Sequence, residues 1–180
     1  MEHNKDHILV PTDFTKVGEC ALQHAISMAK VSGAEISLLH IIANEKDNAE
    51  TEKKLNGVIA AQQATGVEIH PVVKVGNIFD DIGGVAETLG ANLIVMGTHG
   101  VKGMQHVTGS YAVKVITNSS APYIVVQQRP PREQLQTILF PVDMAKENKQ
   151  SLAMTIKMAQ TYKANVHLFV MYEEDQFLKN

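Results

Sequence analysis

The residues best suited to chemistry lie in the segment GTHGVKGMQHVTGS, from Gly97 to Ser110. It carries four glycines together with hydroxyl, lysine and histidine side chains, between an apolar run and a helical pattern. Glycines let backbone N–H groups approach an anion closely, and a helix N-terminus adds partial positive charge. The segment therefore has two interpretations, a phosphate-binding loop or a glycine-rich turn that only joins a strand to a helix.

Five residues of the segment have a role under the first interpretation. Gly97 and Gly100 would permit the turns, and Gly109 would allow close approach of the backbone to a phosphate. Thr98 would add a hydroxyl, and Ser110 would add a hydroxyl and an N–H group at the start of the following helix. Under the second interpretation, Ser110 is a helix N-cap that needs no ligand.

A second candidate group is the triplet Pro11-Thr12-Asp13, which ends the apolar run HILV. The carboxylate of Asp13 could accept hydrogen bonds from ribose hydroxyls or help to hold a phosphate-bound metal ion. It could equally cap the first helix, or bind the backbone of Thr15 and Lys16. The sequence leaves these roles open.

Short apolar runs alternate along the chain with longer helical patterns, and these predicted strands and helices must position the candidate groups. The strand candidates are HILVP, EISLLHII, VEIHPVVKV, NLIVMG and APYIVVQQ. Helical spacing is found over residues 18–30, 44–66, 77–89 and 110–117, and the third helix carries Ile78, Ile82 and Leu89 on one face. This order predicts an α/β fold, a Rossmann-like, doubly wound, mostly parallel sheet with helices on both faces.

The predicted topology brings the two candidate groups together. Ligands of doubly wound sheets bind beyond the carboxyl ends of the strands, where the strand order reverses. With the first strand central and the fourth strand beside it, Asp13 and Gly97 follow neighbouring strand ends. We therefore expect one crevice that contains both the PTD triplet and the glycine-rich segment.

An internal repeat follows a proline-rich linker over residues 129–136. Eleven residues of the first β-α-β segment recur at a constant offset of 130, from Ile8 and Ile138 to Leu38 and Leu168. We expect a first domain over 1–128 and a truncated second repeat over 137–180. A lone β-α-β unit leaves its sheet edge and apolar face open, so residues 137–172 are expected to dock onto another sheet, in the same chain or in a partner chain.

Composition limits the kinds of partner. The chain has 180 residues, 44% of them hydrophobic, a net charge of −3 and a pI near 6.2. This balance provides no basic surface for nucleic acid or an anionic membrane. Cys20 is the single cysteine, which excludes an intramolecular disulfide, and the sequence has no leader or long apolar run. We expect a cytoplasmic protein, without a metal site formed by its scattered histidines.

Taken together, the motifs ILVPTDF, ANLIVMGTHG, GSYAVKVI and APYIVV resemble the universal stress protein family. The resemblance covers residues 6–128 and the start of a second copy over 137–172. It implies a five-stranded parallel sheet in the order 3-2-1-4-5. It also implies a homodimer through the fifth strand. The partial second repeat, with its open sheet edge, is the other expected dimer contact.

The ATP-binding branch of that family carries Gly-x-x-Gly, nine residues, and then Gly-Ser or Gly-Thr. Gly97, Gly100, Gly109 and Ser110 match this motif by residue type, although Val101–Thr108 provides eight residues instead of nine. Asp13 matches the acidic residue after the first strand. The resemblance implies that Ile41 or Ile42 lies against the adenine. The whole expected ATP site is Pro11, Thr12, Asp13, Ile41, Ile42, Met96, Gly97, Thr98, Gly100, Gly109 and Ser110.

Two functions of different classes follow from these observations. The first is a stress-response module that binds ATP, with magnesium, or a related nucleotide, and hydrolyses it slowly at most. No positioned general base or arginine finger is visible in the sequence, which leaves a phosphotransferase or hydrolase as a weaker interpretation. The second is a module for dimerisation and partner binding that binds no nucleotide.

Overall fold

A computed structural model describes residues 5–98, 109–131, 135–143 and 149–171. The chain forms two compact units, Met1–Pro131 and Arg132–Asn180. Each unit is built around parallel strands. None of the described helices is long and apolar enough to cross a membrane.

The first unit is a five-stranded parallel sheet in the order β3-β2-β1-β4-β5, as the resemblance implied. Its strands are β1 His7–Pro11, β2 Glu35–Ile42, β3 Ile69–Val75, β4 Leu93–Gly97 and β5 Tyr123–Val126. Its helices are α1 Lys16–Ser32, α2 Asn48–Ala60, α3 Ile78–Leu89 and α4 Gly109–Thr117. The order reverses between β1 and β4, where the switch point was expected.

Helix α1 has well-defined ends. Thr15 is the N-cap, and its side chain accepts a hydrogen bond from the Gly18 N–H at 3.3 Å. Gly33 ends the helix with φ of 74°, a left-handed conformation that favours glycine, and its N–H bonds to the Ala29 carbonyl. The predicted stop after Ser32 is therefore confirmed, and the helix begins two residues before the predicted Gly18.

The continuous helix predicted over 44–66 is wrong. The structure breaks it into a single 3₁₀ turn at Glu45–Asp47, helix α2 and a second 3₁₀ turn at Gln63–Thr65. The Thr65 hydroxyl donates to the Gln62 carbonyl at 2.7 Å, which satisfies that carbonyl locally instead of through a continuing helix. Gly66 then adopts φ of 70° and leads the chain towards β3.

Apolar side chains fill both faces of the sheet. Ile8 and Val10 of β1 pack with helix α1, while Leu9, which alternates with them, packs with α3 and α4. Helices therefore cover both faces, as predicted. Ile78 differs from the prediction, because it is 50% exposed instead of lying in the core with Ile82.

The pair Gly83-Gly84 in α3 has a structural reason at one of its two positions. A Cβ at Gly83 would lie 2.8 Å from the Asn118 carbonyl oxygen, so the glycine lets α3 approach the chain after α4. A Cβ at Gly84 would meet nothing within 4 Å. Only Gly83 is required by packing.

The second unit repeats the local structure of the start of the first. It consists of β6 Thr137–Asp143, α5 Lys149–Tyr162 and β7 Asn165–Met171, with the two strands parallel. The pairing Thr137↔Asn165 has the same 28-residue separation as His7↔Glu35 in β1 and β2. The register is therefore identical at the offset of 130 that the sequence shows.

Equivalent residues of the two copies of the repeat differ in their exposure. Leu9 is 0% exposed and Leu38 is 1% exposed, whereas their equivalents Leu139 and Leu168 are 64% and 66% exposed. In the first unit, α2, α3 and α4 cover the positions that are open in the second. The second unit thus exposes apolar side chains at positions whose equivalents in the first unit are buried.

Candidate functional site

A cleft of about 250 Å³ opens at the carboxyl ends of β1 and β4. Its volume is just below the range of about 300–1,000 Å³ that is typical of small-molecule sites, so the part of a ligand that it can hold is small. Seven of the residues expected at the site line it, namely Pro11, Thr12, Asp13, Ile41, Met96, Gly97 and Thr98. The topology thus brings together residues that are more than 80 positions apart in sequence.

The Asp13 carboxylate is anchored through one oxygen. Its Oδ1 accepts hydrogen bonds from the Thr15 N–H at 3.0 Å and from the Thr15 hydroxyl at 2.5 Å. Its Oδ2 accepts no hydrogen bond from the described residues. Asp13 therefore has the local backbone contact considered from the sequence, to Thr15, and the described residues leave its other oxygen without a hydrogen bond.

The turn around Asp13 is fixed to strand β2. The Thr12 N–H donates to the Leu39 carbonyl at 2.8 Å, and the Thr12 hydroxyl accepts from the Phe14 N–H at 3.1 Å. Because these bonds use backbone and short side chains, the position of Asp13 follows from the β1–β2 pairing. Thr15 was missed as a member of the site, although a threonine two residues after Asp13, before a helical pattern, is a recognisable cap signal.

The wall of the cleft is largely apolar. Ile41 lines it, whereas Ile42 is buried and does not, because consecutive strand residues point to opposite faces of the sheet. Ile78 and Phe79, at the start of α3, also line the cleft and were not expected there. The signal for them was available, because α3 begins directly after the carboxyl end of β3, at the same edge of the sheet.

Gly97 has a packing reason of its own. A Cβ there would lie 2.6 Å from the carbonyl oxygen of Val17 and 2.5 Å from its Cγ1 atom. The glycine therefore allows α1 to lie directly on the end of β4, independently of any ligand. Thr98 follows, and its N–H donates to the Val126 carbonyl at 2.8 Å.

The central part of the glycine-rich segment lies outside the described residues. This applies to Gly100 and to the eight-residue stretch Val101–Thr108, and hence to the shortened spacing noted above. Gly109 and Ser110 are the first two residues of α4. Ala112 and Val115 of the same helix line the cleft, so one face of α4 borders it.

Asp13 is the one ionisable side chain among the described residues that line the cleft.

A cluster of ionisable side chains lies at the other end of the strands, near the start of β2 and β3. There Glu35, Glu68 and His70 have ligand atoms within 4.8 Å of one another, and the Lys5 ammonium lies 2.6 Å from Glu68 Oε2. The hydrogen bond from Lys5 lowers the pKa of Glu68. This lysine supplies the positive charge in the cluster.

Comparisons with known proteins agree with the fold. Residues 5–127 match the profile of the Universal stress protein family. Universal stress protein MJ0531 of Methanocaldococcus jannaschii is 32% identical over 138 residues, which cover 67% of this chain and 81% of the relative. Universal stress protein MJ0577 of the same organism is 27% identical over 153 residues, which cover 68% and 94%.

Solved structures give the same result. The structure of MJ0577 has a TM-score of 0.58 at 26% identity and covers 70% of this chain and 98% of its own. A universal stress protein in complex with cAMP has a TM-score of 0.57 at 20% identity and covers 69% and 98%. The profile match spans the whole five-stranded unit. The chain therefore belongs to the universal stress protein family.

Proposed function

We propose that this protein is a cytoplasmic stress-response module that binds ATP or a related adenine nucleotide in the cleft between β1 and β4. The observation that carries the proposal is the pairing of an apolar wall with the Asp13 carboxylate, whose Oδ2 accepts no hydrogen bond from the described residues. An apolar wall suits a purine base, and a carboxylate suits ribose hydroxyls. A family relative with the same fold was solved with cAMP, which is an adenine nucleotide.

In this arrangement the adenine lies against Ile41 and Met96, and the ribose hydroxyls donate to Asp13. The phosphates extend towards Thr98 and the start of α4, where a helix N-terminus favours an anion. Gly100, Gly109 and Ser110 belong to the same phosphate end in the proposal, and a magnesium ion would enter with the phosphates. Because Asp13 is at the ribose end, we propose binding with slow hydrolysis at most.

Calorimetric titration with adenosine, AMP, ATP and inorganic tripolyphosphate, each with and without magnesium, tests the proposal. We expect saturable binding of adenosine and AMP, since the residues proposed to contact the base and the ribose line the described cleft. ATP should bind at least about tenfold more tightly than adenosine if the eight-residue loop still holds phosphates. Absence of saturable binding for every adenine compound at millimolar concentration would reject the function.

A second function, dimerisation, is favoured by the exposed apolar residues of the second unit. We propose that residues 137–171 are a second, truncated copy of the first β-α-β segment, which associates with another copy of the chain. Leu139, Leu168 and Phe169 are each more than half exposed, whereas their equivalents in the first unit are at most 1% exposed. The edge strand β5, where Val125 is 44% exposed, is the alternative dimer contact.

Sedimentation velocity of single variants distinguishes the dimer contact through the second unit from the contact through β5. Leu168→Lys is expected to weaken self-association by about tenfold or more, because it places a charge in an apolar interface. Val31→Lys is the matched control, since Val31 is 54% exposed on α1 of the first unit. A dimer that is lost with Val125→Lys but kept with Leu168→Lys would move the contact to β5. A monomeric wild-type chain would reject dimerisation.

A further inference from the structure

The turn that carries Asp13 contains a strained residue. Phe14, directly after Asp13, has φ of 60°, a left-handed conformation that bulky side chains rarely adopt. Such conformations persist where surrounding contacts hold them, and they concentrate at functional sites. The contacts that hold Phe14 therefore indicate what fixes the carboxylate beside it.

His40 of β2 supplies contacts on both sides of Asp13. Its Nδ1 lies 2.6 Å from the Thr12 carbonyl oxygen, which can only accept, so Nδ1–H is the donor. Its ring lies against the Phe14 ring with a centroid distance of 4.5 Å and an interplanar angle of 39°. One side chain thus binds the residue before Asp13 and the residue after it.

Neither His40 nor Phe14 lines the cleft. The side chain of His40 is instead connected to the turn by its contacts with Thr12 and Phe14. Within the turn, Asp13 lines the cleft and its Oδ2 accepts no hydrogen bond from the described residues. Thr15 fixes Oδ1 from the helix side, while His40 holds the Thr12 carbonyl and the Phe14 ring from the strand side. Together these contacts set the direction of Oδ2.

We propose that His40 is a positioning residue that aims Asp13 at the ribose hydroxyls of the bound nucleotide, with Phe14 as its stacking partner. This inference rests on the proposed nucleotide site. It makes a specific claim about the ligand class, because it predicts selection for a nucleotide that carries free ribose hydroxyls. The effect of His40 should appear in that selection and not in contacts with the base or phosphates.

The test compares ATP with 2′,3′-dideoxy-ATP on the full chain. Wild type is expected to prefer ATP by about tenfold, and His40→Ala should lose most of that preference while its affinity for the dideoxy analogue changes by less than about twofold. His40→Asn keeps an N–H donor near the Nδ1 position and should restore part of the preference. His70→Ala, on the neighbouring strand β3, should leave both affinities unchanged.

A second variant keeps the test valid if His40→Ala does not fold. Phe14→Gly accepts a φ of 60° without strain and removes the stacked ring, so it should reduce the preference for ATP by about threefold. Equal loss of affinity for both nucleotides, or an unchanged preference in these variants, would overturn the role of His40 while the nucleotide site stands. Failure of wild type to bind either nucleotide would overturn the proposed function and this inference together.

Discussion

Replacing Gly97 by alanine is expected to lower the free energy of unfolding by about 2–3 kcal/mol, as overpacking of a filled site commonly does. The added Cβ would lie 2.6 Å from the Val17 carbonyl oxygen, which is backbone and cannot rotate away. Either α1 must move away from β4, or the end of β4 must bend. Val17 and Gly97 both line the cleft, so ligand affinity should fall as well.

Urea denaturation followed by far-ultraviolet circular dichroism measures this loss, with Gly84→Ala as the control. Gly84 lies in α3, and its Cβ would meet nothing within 4 Å. Alanine is preferred to glycine inside a helix by about 1 kcal/mol, so the control should be neutral or more stable than wild type. Equal stability of the two variants would mean that the approach of Val17 to Gly97 is not tight.

The sheet could be predicted because its signals are local. Each strand of the first unit is a short apolar run between helical patterns, and parallel connections of this kind permit few topologies. The prediction of one continuous helix over 44–66 was wrong, because the end of the helix depends on weaker signals. These are the Thr65 hydroxyl, which binds the Gln62 carbonyl, and Gly66, which has φ of 70°. The prediction that Ile78 lies in the core with Ile82 was wrong, because helical spacing shows which residues share a face but not where the neighbouring layer ends.

The sequence could predict which strand ends form the candidate site, but not the contacts within it. Asp13 and Gly97 were placed from the rule that ligands bind where parallel strands finish, and both line the cleft. The bond from Thr15 N–H to Asp13 was one of the alternatives left open. The bond from the Thr15 hydroxyl and the contacts of His40 were not found, because they depend on a turn conformation and a strand register that sequence spacing does not fix. The packing of Val17 on Gly97 is equally invisible, since it joins residues 80 positions apart.

Replacing Asp13 by alanine is expected to reduce affinity for adenosine and AMP by about 10- to 100-fold, the range that corresponds to a lost hydrogen bond to a charged group. Oδ2 is the oxygen that the described residues leave available in the cleft, and the proposed ribose contact uses it. Asp13→Asn separates two causes of the loss, because the amide oxygen can still accept from Thr15 while the negative charge is removed. Titration calorimetry of both variants measures the change.

Asp81→Ala is the matched control for this loss. Asp81 Oδ2 accepts from the Asn77 N–H at 2.6 Å at the start of α3, so it also anchors the backbone before a helix. It lies at the same edge of the sheet but does not line the cleft. Removing either carboxylate should therefore lower stability in a similar way, while only the Asp13 variants lose affinity. If Asp81→Ala weakens nucleotide binding as much as Asp13→Ala, the carboxylate acts on the fold of this edge and not on the ligand.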